Sequence, residues 1–278
     1  CFNILFLLVF KEGIRGYLKA YIIANTLTAI YAIIIGKGYK SLHFSHIDKG
    51  LLTRMAKYSV VLIPNSFMWW IMNSSDRIMV SSMISVAANG IYAVSYKLPT
   101  LVSTLTTIFN QAWSYSAIRE EGTADESEYN NKIFKVLIGI VMLTGIGILT
   151  FAKPFFSVYV SEEYYTAWKY MPFLTVGCVY LTMASFMATS YTVHKDSFGY
   201  LFSGMFGAIF NIVMNFMLIP LIGVYGAAIA TCISYILVFI FRLFHTRKYI
   251  KYNVRNKEFW VGSIILLLSA VLMFVDSW

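Results

Sequence analysis

YSVVLIPNSFMWWIMNSSDRIMVSS, residues 58–82, decides the fold class of this chain. It is long enough to cross a bilayer as a helix, for which about 20 mainly apolar residues suffice. Yet it carries Pro64, Asn65, Asn73, Asp76 and Arg77 among Trp, Met and Ile. Charges in such a helix are costly unless they are paired or face a polar interior. The stretch therefore reads as one wall of a polar path through a membrane.

The rest of the chain agrees. Hydrophobic residues make up 59% of the 278 and charged residues 13%, about half the charge of a typical soluble domain. Apolar stretches fall at 1–10 (partial), 20–36, 57–82, 91–117, 133–152, 170–191, 199–219, 223–243 and 259–275. Their length suits helices and not the roughly 10-residue alternating strands of outer-membrane barrels. The expected fold is an all-α polytopic membrane bundle with one partial and eight complete spans.

Most of the 22 basic residues lie in alternate connections, which the positive-inside rule marks as cytoplasmic. These are 37–57, 119–135, 192–198 and 242–257. The opposite connections, 82–89, 160–165 and the Pro220–Gly223 turn, are short or acidic. Lys11, Arg15 and Lys19 run against the alternation. The first residues, CFNILFLLVF, read as the end of a span already under way, so the sequence is expected to begin inside a longer protein. The organisation read from this pattern is the last two spans of an N-terminal lobe at 1–36, a cytoplasmic linker at 37–56, a six-helix C-terminal lobe at 57–243, and a basic loop with one additional helix at 244–278.

Helical spacing gathers the polar residues into stripes. Ser66, Trp70, Asn73 and Arg77 share one face of 57–82. Tyr96, Thr100, Ser103, Thr107, Asn110 and Ser114 run along 91–117 with Gln111 beside them, and Gly204, Ala208, Asn211 and Asn215 share a face of 199–219. Two readings stand for Asn211 and Asn215, a hydrated cavity or hydrogen bonds between packed helices. For the six-position stripe the cavity reading is favoured. Asp76, Arg77 and Lys97 are expected at similar depth, with Asp76 pairing to Lys97 or to another helix while Arg77 faces the cavity. A cationic site of this kind suits a phosphate or diphosphate; the alternative is a structural ion pair at the membrane interface. Trp113, at the end of the striped helix, and Trp70, on its stripe, are candidates for stacking on sugars, set against an interfacial aromatic belt. Pro64 and Pro99 are expected to loosen their spans. Gly226, Ala230 and Ser234 form a small-residue seam for helix packing.

Cys1, Cys178 and Cys232 are too scattered for a disulfide framework, and His43 and His46 lack the further ligands of a metal site. No cofactor and no metal are expected. No Walker motif or nucleophile–base arrangement appears, so ATP hydrolysis is not expected of this chain and it is not read as an enzyme.

The segments 63–120, IPNSFMWWIMNSSDRIMVSSMISVAANGIYAVSYKLPTLVSTLTTIFNQAWSYSAIRE, 164–174, YYTAWKYMPFL, and 211–249, NIVMNFMLIPLIGVYGAAIATCISYILVFIFRLFHTRKY, closely resemble the bacterial polysaccharide transporter (oligosaccharide flippase) family. That family belongs to the multidrug/oligosaccharidyl-lipid/polysaccharide exporter superfamily. The resemblance implies two six-helix lobes around a central cavity, often followed by two extra helices. It implies alternating-access export of undecaprenyl-diphosphate-linked oligosaccharides across the bacterial cytoplasmic membrane for capsule or O-antigen, driven by a coupling cation, H+ or Na+. The implied partners are membrane lipid, the lipid-linked oligosaccharide and polysaccharide polymerase or assembly machinery, with no nucleic acid. Matched positions carried over are Asn65, Asn73, Asp76, Arg77, Tyr96, Lys97, Gln111 and Trp113. The template's first four helices have no counterpart here, so a complete cavity is not expected of this sequence. The alternatives are a multidrug or organic-cation exporter of the same fold, which would want acidic cavity residues, a membrane enzyme of lipid-linked glycan assembly, which would want a large extracytoplasmic loop, and a non-transporting scaffold.

Overall fold

A helix that must survive in hydrocarbon satisfies its backbone internally, and all the regular structure described in this computed structural model is helical. The described residues are 2–10, 12–37, 48–123 and 125–275; Cys1, His43 and His46 lie outside them. The chain divides into two compact units, Cys1–Ala56 and Lys57–Trp278.

In the first unit a helical turn, Phe2–Ile4, runs into a π-helical stretch, Leu5–Val9, followed by α1 (Gly13–Ile35). Gly16 lets α1 approach the preceding stretch: a Cβ there would lie 2.9 Å from the Phe6 carbonyl oxygen. Lys19 pairs with Glu12 at 2.8 Å.

Helix α2 (Lys49–Met83) is longer than the span expected at 57–82, and the basic connection drawn at 37–56 is already helical from Lys49. Pro64 sits inside it and removes one ladder hydrogen bond. The span expected at 91–117 is two helices. Ser85 caps α3 (Val86–Ser95) by accepting from the Ala88 amide at 3.1 Å. The chain then turns through Tyr96–Leu98 into α4 (Pro99–Arg119). Pro99 therefore begins a helix and does not kink one; at the first helical position its missing N–H costs nothing.

Helix α5 (Glu126–Tyr159) and a 3-10 segment (Glu162–Lys169) lead to α6 (Met171–Val193), the most buried helix of this unit. Helices α7 (Ser197–Ile222) and α8 (Val224–His245) form a hairpin. Pro220 is inside α7, not in a turn, and the reversal is made by Gly223 at φ +63, a conformation that favours glycine. Helix α9 (Lys257–Val275) packs on α5.

Close packing follows the small residues. A Cβ on Gly226 would strike the Leu218 backbone, and one on Gly177 would lie 3.0 Å from Cys232 Cα. Ala230 and Ser234 are fully buried, so the 226–230–234 seam is a packing surface. Large apolar side chains such as Leu143, Val158, Phe216 and Leu221 remain uncovered by protein, as a lipid-facing surface requires.

Among the described residues, six helices are long and apolar enough to cross a membrane: α1, α5, α6, α7, α9 and the stretch Val224–Lys248. Helices α2 and α4 are long enough but carry the polar stripes, which lower their hydropathy below that of the other six. The protein is a multi-pass membrane protein.

Candidate functional site

Two polar regions meet on α2, at consecutive residues. Asp76 is fully buried. Its Oδ2 accepts from the Tyr92 hydroxyl of α3 at 2.6 Å and from Thr231 Oγ1 of α8 at 3.3 Å, and its Oδ1 accepts from the Arg77 amide at 2.9 Å. Lys97 is not its partner. The expected Asp76–Lys97 pair fails because Lys97 sits uncovered in the turn after α3, while hydroxyls and a backbone amide fill the space around the carboxylate.

The network continues along α7. Asn211 Nδ2 donates to Thr231 Oγ1 at 3.3 Å, and Asn211 Oδ1 accepts from Ser75 Oγ at 2.7 Å and from Asn215 Nδ2 at 3.0 Å. Asn211 and Asn215 are fully buried, and Asn215 Oδ1 has no hydrogen-bond partner among the described residues. Neither asparagine lines an open cavity. They belong with Asp76 in a buried, oxygen-rich cluster where α2, α3, α7 and α8 meet.

Arg77 turns the other way and is uncovered. Its guanidinium carbon lies 5.4 Å from the centre of the Tyr96 ring, a cation–π contact. Tyr96 is largely buried and meets Tyr92 edge-on at 5.5 Å between ring centres. Lys97 follows Tyr96 directly in the chain and is also uncovered. Asn73, one turn before Arg77, is also uncovered, and its Oδ1 accepts from the Tyr235 hydroxyl at 3.2 Å.

On α4 the polar stripe is present, but most of its hydroxyls bond back to the helix: Thr100 to the Lys97 carbonyl, Thr107 to Ser103 and Ser114 to Asn110. Gln111 is uncovered and Asn110 half-covered, its Oδ1 buried and without a partner among the described residues. Trp113 leaves the stripe. It is buried, stacked on Phe186 at 5.1 Å and tilted against Tyr129 at 5.6 Å. It is core, because the helix turns that position toward α5 and α6. Trp70 is uncovered and stacks on Phe67 at 5.9 Å.

Asn65 is buried with its Oδ1 unpartnered among the described residues, and both that oxygen and the Trp69 indole nitrogen lie beside Gly204. Nearby is a group that sequence reasoning counted among cytoplasmic basic residues. Arg242 is fully buried, donating to Ser203 Oγ at 3.1 Å and the Ala184 carbonyl at 2.9 Å, with its guanidinium over Trp69 and Tyr200. Sequence reasoning also missed Tyr92, Thr231, Ser75 and Tyr235. Thr231 was legible only as a hydroxyl beside the small-residue seam.

A family model described as polysaccharide biosynthesis protein matches residues 13–169, more than half of the chain. The chain belongs to this family. Within the polysaccharide biosynthesis protein family match lie Asp76, Arg77, α3 and α4, while Asn211, Asn215, Thr231 and Tyr235 lie beyond it. An uncharacterized membrane protein of Methanocaldococcus jannaschii is 25% identical over 169 residues, 58% of this chain and 32% of that protein. A MOP superfamily transporter from Pyrococcus furiosus, described by the reversed polarity of its binding pocket, is similar over 79% of this chain and 52% of its own, with a TM-score of 0.57 and 20% identity. A multidrug resistance MATE family transporter in an outward-facing conformation covers the same shares, with a TM-score of 0.59 and 19% identity. A MATE transporter of Vibrio cholerae in its bent form covers 79% of this chain and 55% of its own, with a TM-score of 0.52 and 17% identity. The fold is that of MOP superfamily transporters. The chain spans about half the length of these solved transporters and about a third of the curated relative.

Proposed function

We propose that this chain forms part of a flippase that carries undecaprenyl-diphosphate-linked oligosaccharide repeat units across the bacterial cytoplasmic membrane for surface polysaccharide, by alternating access coupled to a cation. The observation that carries this reading is the division at Asp76 and Arg77. The cations left uncovered, Arg77 and Lys97, suit the diphosphate, and the neighbouring amides of Asn73 and Gln111 suit sugar hydroxyls. The prenyl chain would stay against the uncovered apolar side chains, in lipid. Organic-cation export is disfavoured, because Asp76, the carboxylate of this region, is buried among hydroxyls and does not face the uncovered side.

The same division supports a place for the coupling ion. Hard cations take oxygen ligands, and Asp76, Thr231 and Tyr92 bring together a carboxylate and two hydroxyls. A single carboxylate balances one positive charge, so the set suits Na+ better than a divalent ion. In this reading the chain acts without catalytic residues, and polymerase or assembly machinery receives the exported unit.

The test uses the full-length protein in a deletion strain. Arg77→Ala and Asp76→Ala, each present at wild-type level in the membrane, are expected to lose surface glycan and accumulate lipid-linked repeat units on the cytoplasmic side. Wild-type display in both variants would sink the proposal.

A further inference from the structure

A groove of about 440 Å³ opens between α7 and α8, lined by Phe206, Leu237, Ile240, Phe241, Phe244 and His245. Phe206, Phe241 and His245 stack as a column in its wall, 5.1 and 5.4 Å between successive ring centres. Ile240 and Phe244 are uncovered by protein, so the groove is open on the side where lipid lies. From Leu237 to His245 α8 rises about 12 Å, most of the depth of one leaflet's hydrocarbon, about 15 Å.

The groove ends where the chain becomes basic. Arg247 is uncovered, and its guanidinium lies 4.4 Å from the centre of the Phe244 ring. That cation–π contact holds the charge at the mouth of the groove. Among the described residues Arg247 pairs with no carboxylate. Asp196, the carboxylate at this end of the hairpin, is taken up by Lys248 at 2.8 Å, the Tyr249 hydroxyl at 2.9 Å and the Gly199 amide at 2.8 Å. Its charge is therefore offset, and an anion arriving at Arg247 meets little repulsion.

An apolar slot one leaflet deep with a guanidinium at its polar end has the two chemistries of a phospholipid. The guanidinium fork matches phosphate oxygens, and anionic lipids collect at basic pockets between helices on the cytoplasmic side. An ordinary acyl chain fits the depth and leaves its phosphate level with Arg247. A polyprenyl chain much longer than a leaflet would overrun it. We propose that the groove between α7 and α8 holds an acyl chain of an anionic glycerophospholipid whose phosphate is gripped by Arg247. The site does not depend on what the protein transports.

The test is lipid retention by the full-length protein, read by native mass spectrometry from mixed micelles of dioleoyl phosphatidylglycerol or dioleoyl phosphatidylcholine. Wild type is expected to keep phosphatidylglycerol about fivefold better, the contribution of one basic side chain at an anionic lipid surface. Arg247→Gln is expected to lose that preference. Ile240→Trp, which fills the groove, is expected to shed both lipids. Arg255→Gln changes an uncovered arginine of the same basic stretch that does not line the groove, and it is expected to keep the preference. Should Ile240→Trp fail to accumulate, the two arginine variants decide the matter by themselves. A preference that is absent in wild type, or that survives Arg247→Gln, overturns the proposal. Equal loss in Arg255→Gln overturns it too, by making the attraction a property of the whole basic surface. Displacement of the phosphatidylglycerol by equimolar farnesyl diphosphate would give the groove to a prenyl diphosphate and overturn it as well.

Discussion

Asp76 and Arg77 are neighbours in sequence and occupy opposite surroundings. The carboxylate is sealed among hydroxyls and amides where four helices meet, and the guanidinium lies uncovered on an aromatic ring. Consecutive residues on a helix point about 100° apart, so a helix at the edge of a bundle can send one charge into the interior and the next out of it. The contrast teaches that charge in a membrane helix has two uses. A buried carboxylate ringed by donors is satisfied inside the bundle, and an uncovered guanidinium is left to meet groups outside it.

The largest expected effect of breaking that contrast is at the buried side. Asp76→Ala leaves the buried Tyr92 and Thr231 hydroxyls without their acceptor, at about 1–3 kcal/mol each. It should abolish export and lower the unfolding temperature in detergent, while Asp76→Asn, which keeps an acceptor for Tyr92, should unfold near the wild-type temperature and still fail to export. An Asp76→Ala protein of unchanged stability would mean that the carboxylate is not sealed. On the uncovered side, Arg77→Ala should reduce glycan display by about tenfold or more with stability within about 0.5 kcal/mol of wild type. A marked loss of stability would instead make Arg77 a structural residue.

The two tryptophans sharpen the same distinction with less dramatic consequences for transport. Trp113→Ala should cost about 3–5 kcal/mol, the usual penalty for emptying a large aromatic from a core, and Trp70→Ala should cost under about 0.5 kcal/mol. Detergent unfolding of the two variants side by side reads the difference directly.

A smaller effect than that of emptying the core at Trp113 is expected outside the membrane-spanning segments. Asp196 caps α7 by accepting from the Gly199 amide at 2.8 Å, and it also holds Lys248 at 2.8 Å and the Tyr249 hydroxyl at 2.9 Å. Burial raises its pKa, but these bonds outweigh burial and hold the carboxyl below its ordinary value of 3.8. A group lowered in the folded state contributes stability that is complete above its unfolded pKa and is lost as pH falls through the folded one. Asp196→Ala should therefore cost about 1 kcal/mol at neutral pH, as lost caps do. Melting curves of wild type and variant should converge only below about pH 4.

Much of the fold was legible because hydrocarbon permits few solutions. Apolar stretches of spanning length, the polar stripes of α2 and α4 and the small-residue seam of α8 follow from composition and helical period. Element ends were less legible. Pro99 reads as a kink within an apolar run until Tyr96–Leu98 are seen to turn, and Pro220 reads as a turn until α7 is seen to continue past it. The site was half legible. Arg77 and Lys97 stood out as charges in a spanning stretch and prove uncovered, whereas Trp113, at the end of the striped helix, is core. Tyr92 and Thr231 gave little signal, because a hydroxyl in an apolar segment is as often bonded to its own helix as to another.

By itself the sequence determined that this protein is an all-helical, multi-pass membrane protein of the polysaccharide biosynthesis protein family, since length, hydropathy and wording along the chain are local properties. Only the tertiary structure decided which polar groups are sealed and which are open. Asp76, Asn211 and Thr231 come from three helices far apart in the chain, and their hydrogen bonds exist only once those helices pack. Likewise Arg242, in the last turn of α8, reads as one more basic residue at a membrane edge. Packing of α2, α6, α7 and α8 encloses it, and no local pattern encodes which neighbours will surround a side chain.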